Sequence, residues 1–331
     1  MKLGIVGAGL IVNTLLQFIH ELKDDIELVA ISATPAEEEK LLQMQKEHGF
    51  RYIYTDYEQM LKSEEIDTVY MGVNNMLHYT FARKALEAGK NLIEEKPFAS
   101  NYNQTKQLID LAKEKHLFVF EAISTIYNPN FIKIRELLPT IGDVKIVSLN
   151  YTQYSSRYDA FRRGEILPAF DYRKSGGALM DLNVYNIHFI TALFGAPEKV
   201  SYTANIEHSI DTSGILTLDY PTFKATLIAA KDCGAPFINC IQGNDGCIYT
   251  SSPAFTLTHF EHWLNKQEPV HYDLTGNAHR MKHEFEYFVK VFNAKDYEED
   301  EKIMEHSLIV MDVLTKAREC IGLVFPDDAN I

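Results

Sequence analysis

The chain of 331 residues is short of several features that would each commit a protein to a class. It has one tryptophan and four cysteines, Cys233, Cys240, Cys247 and Cys320, with no C-x-x-C pair among them. That spacing suits neither a disulfide-stapled scaffold nor a zinc knuckle, and reads as free thiols in a reducing cytoplasm. Basic residues are scarce. Against 46 Asp and Glu stand 32 Lys and Arg, a formal net charge of −14, which argues against broad attraction to nucleic acid or to an anionic membrane. No run approaches the roughly 20 apolar residues needed to span a bilayer. The apolar opening MKLGIVGAGL leads straight into a glycine turn, with no signal-peptide cleavage pattern behind it. Glycine and proline gather in no linker, and no repeat is visible. What remains is an ordinary globular composition, 46% hydrophobic and 11% aromatic, long enough for two domains and two cores.

Up to residue 122 short apolar runs alternate with longer amphipathic ones. KLGIV, IELVAIS, DTVYMGV, KNLIEE and HLFVFEA read as strands, several of them apolar throughout, as strands covered on both faces must be. AEEEKLLQMQKEHG, HYTFARKALEAGK and NYNQTKQLIDLAKEK lie between them and read as helices. Strand and helix in alternation predict a doubly wound parallel sheet, an N-terminal Rossmann domain over 1–122. Over 123–331 a helix near Asn128–Leu138 and a long strand, VKIVSLNYTQY, precede a second helix, ALMDLNVYNIHFITALFG. Sequential strand-like runs with short turns follow, then two helices. This second half reads as an α+β domain with a large, mostly antiparallel open sheet, its C-terminal helices free to pack back on the first domain.

Four features carry chemistry. Gly7-Ala8-Gly9 follows the first strand, where glycine lets the backbone approach a pyrophosphate and the next residues, Leu10 and Ile11, open a helix with free N–H groups. A tight turn without a ligand would look the same, and Val12 stands where the third small residue of G-x-G-x-x-G belongs. The second strand ends Ser32-Ala33-Thr34, without the acidic residue that grips the ribose hydroxyls of NAD or an arginine for a 2′-phosphate, a slight lean to NADP. Glu95-Lys96-Pro97 ends a buried strand, and a lysine at a strand's carboxyl end points into the ligand crevice of an open sheet, unless it is an ordinary surface lysine. Finally, GGALMD runs into a helix on which Asp181, Tyr185 and His188 are spaced i, i+4, i+7 and should share one face, either a site or a solvated stripe.

Together the glycine turn, VNNMLH at 73–78, AGKNLIEEKP and GGALMDLNVY resemble the Gfo/Idh/MocA family over nearly the whole chain. Glu-Lys-Pro and Gly-Gly-Ala-x-x-Asp are the specific parts. The resemblance implies that Lys96 is the central catalytic lysine, often with a cis Lys-Pro bond, and that Asp181 belongs to the site. It also implies that Asn74, Asn75 and His78 lie beside the nicotinamide half of the cofactor, and that the open sheets pair into a homodimer or homotetramer. Tyr185 stands where inositol dehydrogenases carry a histidine, so the chain looks more like the glucose–fructose oxidoreductase and dihydrodiol dehydrogenase branch. Two residues depart from the pattern: Val12, and Asn183 in place of a glycine, whose side chain would project into or beside the site.

The expectation is an NAD(P)-dependent oxidoreductase acting on a sugar, polyol or related alcohol, with Tyr185 as general acid/base and Lys96 polarising both the phenol and the substrate oxygen. A phenol titrates near 10 and needs such a neighbour to act at neutral pH. Lys96 as the direct proton carrier is the rival mechanism. Asp181 would orient Lys96 or accept a substrate hydrogen bond. Tyr127, Arg157, Asn183 and His188 complete the substrate-contact candidates. Arg157, Arg162, Arg163, Arg173 and Lys174 form a basic loop that would suit an anionic substrate or merely solvent. His279 and His283 lack the order of a zinc motif, and no metal is expected. The competing readings are a cofactor-binding sensor or scaffold without turnover, and a cofactor-recycling enzyme that holds its NADP permanently.

Overall fold

The computed structural model describes residues 1–329. The chain divides into two compact units, Met1–Ala122 with Glu284–Ser307, and Ile123–His283 with Leu308–Ile331.

The first unit is built on six parallel strands, β1 (Lys2–Val6), β2 (Glu27–Ser32), β3 (Tyr52–Tyr54), β4 (Thr68–Met71), β5 (Asn91–Glu95) and β6 (Val119–Ala122). Their order is β3-β2-β1-β4-β5-β6, the Rossmann arrangement, which leaves a crevice at the carboxyl ends of β1 and β4 where the winding reverses. β4 is buried at every position and β1 at all but Lys2, so their apolar runs have no solvated face. The helix Tyr102–Lys115 starts on Asn101, whose side chain accepts from the Gln104 N–H. From the far end of the chain, the helix Lys282–Ala294 brings Phe285 edge-on to Phe18 at 5.7 Å and stacks Phe288 on Phe120 at 4.8 Å. The first turns of Tyr297–Cys320 add Tyr297, stacked 4.4 Å from Phe118, and Asp300, which accepts from the Val119 N–H at 3.1 Å.

The second unit holds an eight-stranded sheet of β7 (Val144–Thr152), β8 (Lys199–Glu207), β9 (Ile210–Asp219), β10 (Lys224–Ala230), β11 (Asn239–Gly243), β12 (Gly246–Thr250), β13 (Phe260–Leu264) and β14 (Val270–Tyr272). The order is β14-β13-β12-β11-β7-β10-β9-β8. Every pair is antiparallel except β7 with β10. Register sorts the two faces. Val147, Leu149, Ala225, Leu227, Leu216 and Ile241 are buried, whereas Ile146, Ile215 and Trp263, on rows of the opposite parity, are exposed. On the covered side the helix Val184–Phe194 meets Pro129–Leu137 through Phe189 and Phe131, ring centroids 5.2 Å apart.

The region read as one helix from Ala178 is not uniform. Leu179–Asn183 is a π-helical turn, and the α-helix begins only at Val184.

Candidate functional site

In the first unit a cleft of about 630 Å³ is lined by the glycine turn from Val6 to Ile11, by Ser32–Pro35 and Glu37, and by Gly72–Asn74 and Leu77. Gly7 has φ +104, and a Cβ there would stand 2.3 Å from the Gly72 carbonyl oxygen, so glycine is required. Gly9 has open space beside it and Leu10 is 74% exposed. Val12 is accommodated from the other side. It is fully buried, and a Cβ on Gly72 would come within 2.5 Å of its Cγ2, so the missing third glycine is answered by a glycine at the end of β4. A cradle open at Gly9 and closed below by Gly7 and Gly72 fits a dinucleotide pyrophosphate.

Beyond β2, the turn at Thr34 closes a capping box with Glu37, whose Oε2 accepts from the Thr34 hydroxyl at 2.8 Å and from its N–H at 3.3 Å. An acidic residue therefore does stand at this end of the cleft, three residues later than the usual position, with that oxygen engaged by Thr34. Lys40 Nζ donates to the Ala8 carbonyl. The sequence reading missed both, because neither lies on the strand end where cofactor contacts were sought.

Of the residues expected along the nicotinamide half, Asn74 is exposed on the cleft wall and Asn75 is half-buried outside its lining. His78 is fully buried. Its Nδ1 lies 2.9 Å from the Pro97 carbonyl oxygen and its Nε2 3.2 Å from that of Val73, so it ties the loop after β4 to the loop after β5. Its ring lies outside the lining of this cleft. Burial pushes its pKa down to about 4. Glu94, whose Oε1 is 3.3 Å from His78 Nδ1, is also fully buried, and burial, then Glu95 and Glu121, raise its pKa well above the usual carboxylate range. On the other face of β5, Glu95 accepts from the Tyr70 hydroxyl at 2.5 Å. Lys96 is half-buried and its bond to Pro97 is cis.

In the second unit the Gly-Gly-Ala turn has a steric cause. Gly177 has φ +107, and a Cβ on it would lie 2.0 Å from Asp211 Oδ1, while one on Gly176 would meet the Pro168 carbonyl oxygen at 2.7 Å. Fully buried Asp211 accepts from the Leu179 N–H at 2.7 Å and the Tyr202 hydroxyl at 2.9 Å, pinning the start of the π turn. Burial raises its pKa to about 6 against these bonds.

Asp181 sits in that turn, its side chain about one-third exposed, and its Oδ2 accepts from Lys231 Nζ at 2.7 Å. Lys231 was not foreseen. Tyr185 packs near Tyr151 and Phe255, with ring centroids at 5.9 and 5.7 Å. Asn183 lies in the same turn. It is fully buried, donates to the Leu227 carbonyl at 3.3 Å and accepts from Asn186 at 2.9 Å, seaming the π turn to β10. His188 and Tyr127 are buried as well. In the loop before the site, Arg157 is exposed and Arg173 makes a two-point pair with Asp171 at 2.9 and 3.0 Å, which leaves that arginine committed within the protein.

Residues 1–123 match an oxidoreductase family described by its NAD-binding Rossmann fold, and residues 131–248 match the GFO/IDH/MocA C-terminal domain. A scyllo-inositol 2-dehydrogenase (NADP(+)) of Bacillus subtilis is 31% identical, with 99% of each chain covered. A trans-1,2-dihydrobenzene-1,2-diol dehydrogenase of Bos taurus is 26% identical over 100% of this chain and 99% of its own. Among solved structures, a 3-ketoreductase from Actinomadura kijaniata in complex with NADP and TDP-benzene superposes with a TM-score of 0.82 over 96% of this chain and 97% of that one, at 18% identity.

Proposed function

The chain belongs to the GFO/IDH/MocA family of NAD(P)-dependent oxidoreductases, and from that membership we propose that it is an NADP-preferring dehydrogenase of a cyclic polyol or sugar. The observation that carries the reading is the glycine-floored cleft at the reversal point of the first sheet. The 31% identity to an NADP-dependent scyllo-inositol dehydrogenase along the full chain supports the substrate class. The preference for NADP is supported by the absence of an acidic residue at the end of β2, by the tie of Glu37 to Thr34, and by the Lys40 ammonium beside the glycine turn.

The cofactor-holding residues are Gly7, Gly9, Leu10, Ile11, Ser32, Ala33, Thr34 and Asn74, with Asn75 and Glu95 supporting the walls. When bound, the nicotinamide supplies or accepts the hydride. Tyr185 moves the proton of the substrate hydroxyl, Lys96 stabilises the charge that develops on that oxygen, and Asp181 accepts a hydrogen bond from a further hydroxyl. Tyr127, Arg157 and His188 remain substrate-side candidates. His78 acts through the two loops it joins. The exposed face of the second sheet, with Ile146, Ile215 and Trp263, supports a dimer or dimer of dimers, and the four free thiols support a cytoplasmic setting.

The test is nicotinamide absorbance on a panel of inositols, sugars and diols with NADP and NAD. Lys96→Met and Tyr185→Phe should each lower kcat about 10²-fold or more while both variants still bind NADP. Near-normal kcat in both would end this assignment of roles. Nucleotide binding without turnover on any member of the panel would end the enzymatic reading.

A further inference from the structure

Lys231 follows β10 directly, and its backbone is fixed on both sides. Its N–H donates to the Thr212 carbonyl at 2.8 Å, and its own carbonyl accepts from the Ser155 N–H at 2.9 Å. Its side chain is 3% exposed. An ammonium so far from water is costly unless it is paired and hydrogen-bonded, and three groups converge on this one. Nζ donates to Asp181 Oδ2 at 2.7 Å and to the Ala169 carbonyl at 2.6 Å, and lies 4.6 Å from the centroid of the Phe170 ring.

These partners come from different elements. Asp181 lies in the π turn, whereas Ala169 and Phe170 belong to the 3₁₀ turn Pro168–Phe170 in the loop between β7 and the Gly-Gly-Ala turn. The pair is also lopsided: the cation is sealed, and the carboxylate keeps about one-third of its surface. Solvent, or a ligand, meets a carboxylate whose charge is already balanced from behind. Such a group favours a neutral hydroxyl donor over a cation.

We propose that Lys231 is a positioning residue for substrate recognition, holding the Asp181 carboxylate and the Pro168–Phe170 turn in one relation so that Asp181 accepts a hydrogen bond from a hydroxyl of a neutral polyol or sugar. The proposal rests on the polyol or sugar dehydrogenase reading. A rigid strand end is a good place for such a support, since its own backbone has no freedom to yield.

The experiment compares Lys231→Met, Lys231→Arg, Asp181→Asn and the double variant Asp181→Asn/Lys231→Met, using the best polyol of the wild-type panel and NADP. Lys231→Met should lower kcat/KM for the polyol about 50-fold and leave the KM for NADP within about twofold. Lys231→Arg should recover about tenfold of that loss. The double variant should be no worse than Asp181→Asn alone within about threefold, because one interaction is being removed twice. Losses that multiply, or a matching rise in the KM for NADP, would overturn the proposal. Should Lys231→Met not fold, the same cycle with Lys231→Arg decides: a loss that vanishes in the Asp181→Asn background supports the role and one that persists refutes it. Amide hydrogen exchange over 166–175 gives a readout free of turnover. It should quicken about tenfold in Lys231→Met or, more weakly, in Lys231→Arg, and stay unchanged in Asp181→Asn. Unchanged exchange in the lysine variants sinks the tie to the loop. A wild type inactive on every polyol and sugar sinks the functional reading instead, and the exchange result still stands.

Discussion

Each unit hides a carboxylate completely, and the two are held in opposite ways. Asp211 in the second unit receives a backbone N–H and a phenol hydroxyl, and burial raises its pKa only to about 6. Glu94 in the first unit has no hydrogen bond to either oxygen among the described residues, its Oε1 lies 3.3 Å from the His78 ring, and burial holds its pKa well above the usual carboxylate range. The cause is local geometry. Glu94 is in the interior of a parallel sheet, where the ladder consumes the neighbouring N–H groups. Asp211 begins a strand opposite the start of a helical turn, where unpaired N–H groups point outward. The same charge is an anchor in one place and a burden in the other.

The largest effect expected from breaking this contrast is on the Asp211 side. Gly177→Ala would place a methyl 2.0 Å from Asp211 Oδ1 at a backbone φ of +107. Both faults act together, so the variant should lose about 3 kcal/mol or more in urea unfolding. A loss below about 1 kcal/mol would mean that Asp211 moves freely and anchors nothing.

Next in size is Tyr202→Phe, which keeps the ring and removes one donor to the carboxylate. A hydrogen bond to a charged group contributes about 1.5–3 kcal/mol, so about 2 kcal/mol should be lost at pH 8. The sign with pH follows from the raised pKa. The unfolded carboxyl titrates near 4 and the folded one at about 6, so Asp211 is neutral in the fold at pH 5 and the penalty there should fall to about 1 kcal/mol. A penalty that is flat from pH 5 to 8 would show that Tyr202 does not hold a titrating group.

How much of this was legible in the sequence depends on what carries the signal. The parallel sheet was readable because its strands are apolar on both faces. β3 was missed because Tyr52–Tyr54 is a three-residue edge strand with no buried position. Gly7, Gly176 and Gly177 were legible because their turns admit no other residue, and Glu-Lys-Pro and Gly-Gly-Ala-x-x-Asp because they are the specific parts of the family pattern. The π turn differs from an α-helix by about one residue per turn and leaves no mark in the hydrophobic period, so the sequence predicts one uniform helix there. Lys231 is the instructive failure. It ends the apolar run ATLIAAK just as Lys96 ends NLIEEK, but the ligand crevice at the strand ends of a parallel sheet singles out Lys96 alone. Glu94 could not be read at all, since whether a buried carboxylate finds donors is decided by neighbours far along the chain.

The last expected effect tests the Glu94 side and runs in the opposite direction. Glu94→Gln keeps the shape and abolishes the titration. Above the ordinary glutamate value near 4.3 the unfolded chain releases a proton that the native state retains. Native stability then falls by up to about 1.4 kcal/mol per pH unit until the raised folded value is reached. Glutamine is spared that loss. The variant should therefore match the wild type near pH 4, exceed it by about 1 kcal/mol at pH 5, and gain further until the raised folded value is reached. His78 does not reverse the sign, because burial holds its pKa down at about 4 and the ring is neutral above about pH 5. If Glu94→Gln were instead destabilised by a similar amount at pH 8, Glu94 would be an ionised partner of His78. The first unit would then hold its buried carboxylate by a counter-charge, as the second holds Asp181 with Lys231, and the contrast between the two halves would come down to exposure alone.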